Sequence, residues 1–124
     1  MNTSDIPTIS IDADHAGRLL DELDDLISLI DSVIGDQCAA RAVLADAEME
    51  QAIIEAEHTL SVEGKNETER KARLTLTLRD DAAYQTHAAA AREARAALHQ
   101  CDRRLTVAKL RVTLVKAALT PPTA

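Results

Sequence analysis

The most regular alternation of apolar and polar positions lies in the last third of the chain. Tyr84, His87, Ala91, Ala94, Leu98, Cys101, Leu105, Ala108, Val112, Val115 and Leu119 recur at alternating steps of three and four. That spacing keeps one narrow stripe of a helix turned toward a partner, so it predicts a helix over about 81–119 with a coiled-coil seam. The seam is small at its middle, within HAAAAREARAAL, where a neighbouring helix can approach closely. Thr120, Pro121 and Pro122 end it, because a proline cannot donate the hydrogen bond that would continue the helix.

A second stripe occupies the first half. Leu20, Leu23, Ile27, Ile30 and Ile34 follow the same steps, Gly35 lies where the phase is lost, and Met49, Ile53, Ala56 and Leu60 resume in a shifted register. The favoured reading is one helix over about 12–61 with a stutter at Gly35, and two helices divided there is the alternative. Asp12 or Asp14 suits the N-cap, since a short carboxylate accepts from the free N–H groups of a first turn. Residues 1–11, with Pro7 and several Ser and Thr, read as a flexible arm, and 120–124 as a C-terminal tail.

Between the stripes stands VEGKNETERKARL, residues 62–74. Gly64 suits the left-handed position that ends a helix. Asn66 and Glu69 form a capping arrangement in which the Asn side chain takes the third N–H and the Glu reaches back to the Asn N–H. A stop signal followed by a start signal makes a corner and a short helix over 67–79. RLTLTL inside it alternates as a strand would, but the capped and charged start favours helix. Asp80 and Asp81 cap a further start near residue 81.

The expected fold is all-α: one domain over 12–119, a long antiparallel helical hairpin of coiled-coil type with a short helix at the bend. Two aliphatic seams of this length exceed what one thin hairpin buries, so a homo-oligomer is expected. The residues expected in the hairpin or oligomer seam are Leu23, Ile27, Ile30, Ile34, Leu98, Cys101, Leu105, Val112 and Val115.

Composition sharpens this. Hydrophobic residues are 46%, yet there is no Phe or Trp and one Tyr, so the interior must be built from small aliphatic groups. Three Gly and three Pro are too few for an all-β fold. Two cysteines make no disulfide framework, no signal peptide is evident, and no apolar run reaches the ~20 residues of a membrane span. A cytoplasmic protein with free thiols and no membrane contact is expected. No His/Glu zinc pair or phosphate-cradling glycine loop is present, so neither catalysis nor a cofactor or metal is expected.

Charge is divided unequally. Residues 1–60 hold fourteen Asp and Glu against Arg18 and Arg41, a net of −12, while residues 61–124 hold seven against twelve Lys and Arg, a net of +5. Two readings follow. In one, the first helix neutralises the basic residues. In the other, part of the basic face, including Arg92, Arg95 and Lys116, stays free to follow a phosphate backbone. Without aromatic platforms, backbone contact is favoured over the reading of bases.

EGKNETERKARL, followed by AAYQ and a long Ala/Arg/Leu helix, resembles a group of small helical proteins of tailed phages and prophages; the matching residues are Gly64, Lys65, Asn66, Glu69, Arg70 and Tyr84. In size and helical layout the chain is similar to phage recombination mediators of the UvsY type, which assemble and help load a recombinase on single strands. The resemblance implies a non-enzymatic accessory protein of DNA recombination or replication, an oligomeric scaffold for single-stranded DNA or a recombinase, in the host cytoplasm. Lys65, Arg70, Lys71 and Arg73 at the corner and Arg103, Arg104, Lys109 and Arg111 on the last helix are its candidate contacts to phosphates or a partner. Two other readings stand beside it: a host- or defence-directed interaction protein using the acidic helix, and a structural coiled coil.

Overall fold

A computed structural model describes residues 13–120. The arm 1–11, Asp12, Pro121 and Pro122 lie outside the described residues. Among the described residues there are three helices and no strand: α1 (Ala13–Ser61), α2 (Glu67–Asp80) and α3 (Ala82–Leu119). None of them is long and apolar enough to cross a membrane.

The helix α1 runs unbroken through Gly35, and no stutter occurs there. Leu23, Leu26, Ile30, Val33, Gln37, Ala40, Leu44, Ala47, Gln51, Ile54 and His58 are buried or half-buried, stepping by three and four without a change of phase. Labelling Leu23 as heptad position a and Leu26 as d, this register corrects the sequence reading. Leu20, Ile27 and Ile34 fall at position e, with Ile27 56% and Ile34 44% exposed, while Met49, Ile53, Ala56 and Leu60 also lie outside the seam. The apolar pattern misled because several true seam positions are Gln, Ala or His, whereas large aliphatic residues occupy neighbouring rows. On α3 all eleven stripe positions from Tyr84 to Leu119 are buried or half-buried; Leu105 and Val112 stand at a, Ala108 and Val115 at d.

The expected span 12–119 divides by its contacts into two compact units, the chain up to Gly35 with that from Asp102 onward, and Asp36–Cys101. The described part of the first holds the fully enclosed side chains Val33 and Val115, with Ala108 also buried. One edge is closed by Glu22 and Arg111, both at heptad position g, whose Oε1 and Nε are 2.5 Å apart.

The second unit contains the corner, α2 and a core of Ala47, Leu78, Ala88, Ala91, Ala94 and Cys101. These small side chains allow close packing in place of aromatic bulk. Glu48 and Arg95 pair across it at 3.4 Å.

At the corner, Val62 N–H donates to the His58 carbonyl (2.9 Å) and closes α1. Among the described glycines none has positive φ, so Gly64 is not a left-handed helix stop. What demands glycine is proximity: a Cβ there would lie 2.8 Å from Arg70 Cγ and 3.0 Å from Arg70 N. Asn66 is extended and its side chain accepts from Glu69 N–H at 2.8 Å, as the cap requires. The reciprocal bond differs by one residue: the Glu69 carboxylate accepts from Lys65 N–H at 3.3 Å rather than from Asn66.

Candidate interaction surface

The eight candidate cations fall into two groups by unit. Around the corner most are engaged locally. Lys71 pairs with Glu67 (3.4 Å) and Arg73 with Glu69 (2.9 Å), each one turn along α2. Arg73 also donates to the Glu63 carbonyl (3.1 Å), and Arg70 to that of Gly64 (3.2 Å). Lys65 is exposed beside them. The corner is thus a lattice of short-range bonds that hold the chain direction, and Glu67 and Glu69 offset the charge of Lys71 and Arg73.

On the last part of α3 the arrangement differs. Leu26, Leu29, Val107 and Ala108 floor a shallow groove of about 420 Å³, and Arg103, Arg104 and Arg111 line it as well. Three guanidinium groups around an apolar floor suit a ligand that is both anionic and apolar. Arg111 is held by Glu22; that hydrogen bond moves the Glu22 carboxyl below its ordinary pKa and the guanidinium above its own. Arg104 is likewise engaged within the protein. Arg103 and Lys109 are exposed, and neither has an ion-pair partner among the described residues.

A polar cluster missed by the sequence reading sits where α2 meets α3. Asp81 N–H donates to the Leu78 carbonyl (3.2 Å), while Asp81 Oδ1 accepts from Tyr84 N–H (2.8 Å), so one residue ends α2 and caps α3. Its other oxygen lies 2.7 Å from His58 Nε2 on α1. The bond to His58, joined by that from Tyr84, lowers the Asp81 pKa below its usual value. Gln85 Nε2 adds a bond to the Leu78 carbonyl (3.0 Å). Asp81 was legible as a cap; its link to His58 was hidden, because only the corrected register puts His58 in the seam.

Cys101 is buried and Cys38 exposed, both as free thiols. Among the described residues no group of three or more His, Cys, Asp or Glu is placed to hold a metal ion. No protein-family model, curated protein or solved structure matches the chain.

Proposed function

We propose that the chain is a non-catalytic accessory protein of phage-type DNA recombination or replication. Its long helices are the arms of an antiparallel hairpin, and the protein works as a self-associating scaffold. The basic row of α3 meets the phosphate backbone of a single strand or an acidic face of a recombinase. The observation that carries the reading is that Arg103 is exposed and has no ion-pair partner among the described residues, in a region where Glu22 already occupies Arg111. Cations without carboxylate partners remain available to phosphate, and such contacts add affinity without reading sequence. The scarcity of aromatic residues fits backbone contact, since there is nothing on which unpaired bases would stack.

Fluorescence anisotropy of a labelled oligothymidylate tests this. Affinity falls by more than about tenfold between roughly 50 and 200 mM salt, as counterion release requires. Arg103→Glu weakens binding while the helical circular dichroism is retained. Equal binding by the variant sinks the assigned surface. Absence of any binding at low salt sinks the nucleic-acid reading and moves the function to the acidic face of α1.

A further inference from the structure

In the first unit the two edges of the seam are chemically unlike. At the g edge, Glu22 and Arg111 pair across it. At the e edge, where charges ordinarily flank a coiled coil, α1 carries Leu20, Ile27 and Ile34, each seven residues from the next and about half exposed. Position e of α3 carries Asp102, Lys109 and Lys116, also seven apart and exposed; Asp102 is engaged within the protein, and the two lysines have no carboxylate partner among the described residues. Along the second unit the same heptad position of α1 reads Arg41, Glu48 and Glu55, and Glu48 is paired with Arg95. The apolar e row therefore stops where the first unit stops.

A helix with apolar a and d positions alone suits a two-stranded seam; apolar a, d and e make the wider stripe that faces the core of a bundle. Beyond the e row, Asp24 and Asp31 form a further row at the b positions, again seven apart and exposed. Three rows of one repeat thus lie along this unit: aliphatic, acidic and, beyond Asp102, basic at Lys109 and Lys116.

We propose that a second copy of this chain covers this face. In the two-fold arrangement that lays α1 of each copy on α3 of the other, the aliphatic rows close a four-helix core. Asp24 and Asp31 of each copy then meet Lys109 and Lys116 of the other. The self-complementary layout is what an isologous contact needs, and laying α1 on α1 would instead set acidic rows together. The contact rests on the reading of the chain as a self-associating scaffold and gives it a surface.

Sedimentation equilibrium of the full chain decides it. Wild type has twice the 13.4 kDa of one chain. Ile27→Glu with Ile34→Glu weakens self-association by at least about 100-fold, as burying unpaired carboxylates in an apolar contact demands, and leaves helical content unchanged because both sites are exposed. Asp24→Lys with Asp31→Lys weakens it about tenfold, as does Lys109→Asp with Lys116→Asp, and the four changes together restore it. A monomeric wild type, a dimer indifferent to the Ile changes, or charge swaps that fail to rescue each other overturns the proposal. Oligothymidylate binding by the same proteins separates the two readings. A monomer that binds the strand removes only this contact; a dimer of the expected behaviour that ignores the strand removes only the nucleic-acid role.

Discussion

Gly35 and Gly64 are the same residue used for opposite reasons. Gly35 is inside α1, with nothing within 4 Å of where a Cβ would be, so it contributes only backbone freedom lost on folding. Gly35→Ala raises stability by about 0.5–1 kcal/mol, read as a higher urea midpoint at constant slope. A Cβ on Gly64 would lie 3.0 Å from the Arg70 backbone nitrogen. An added methyl there forces Arg70 away from the turn whose N–H bonds the Asn66 carbonyl (3.0 Å). Gly64→Ala therefore lowers the midpoint. If the two alanines move it in the same direction, one of these local readings is wrong. Chain position alone suggested a different emphasis, a stutter at Gly35 and a left-handed stop at Gly64, because glycine identity does not say whether the need is torsional or steric.

The junction of α2 and α3 concentrates four groups on one carboxylate and its neighbours. Asp81 is bonded by His58 from α1 and by Tyr84 from the first turn of α3. Its folded pKa lies below the unfolded value of about 3.9. A depressed carboxylate stabilises the fold above the unfolded pKa, and the contribution is lost as pH falls through the folded one. The stability gap between wild type and Asp81→Asn is therefore level from about pH 5 upward toward neutrality. It narrows below about pH 4, measured by urea unfolding at each pH. A gap that widens on acidification excludes the ionised Asp81 as the bonded form. The helices around this junction were legible from Asn66, Asp81 and the α3 stripe, since capping and heptad spacing are local chemistry. The α1 register was not, because Gln37, Gln51 and His58 are polar residues that gain burial only from what packs on them.

Across the molecule the interior is made of small residues. The two cysteines, which belong to the same unit, report on that packing: Cys101 is 5% exposed, whereas Cys38 is open. A thiol reagent titrates one fast group per chain in native buffer and two in denaturant. Two fast thiols in native buffer would show that the Ala-rich core is not closed around Cys101. Charge follows the same division of labour. Glu22 with Arg111 and Glu48 with Arg95 join the acidic α1 to the basic α3, while Arg103 and Lys109 have no ion-pair partner among the described residues. The neutralisation expected of the first helix is met for Arg95 and Arg111.

By itself the sequence determined the three helices, the corner between residues 61 and 67, the second start at Asp81 and the eleven-residue stripe of α3. Capping groups, prolines and heptad spacing act over a few residues and need no distant partner. Only the tertiary structure decided which stripe of α1 is inward, that Gly64 answers to Arg70, and that His58 bonds Asp81. It alone showed which cations are spent on carboxylates. Burial and pairing depend on residues far apart in the chain, and α1 carries two adjacent rows of aliphatic side chains between which spacing alone could not choose.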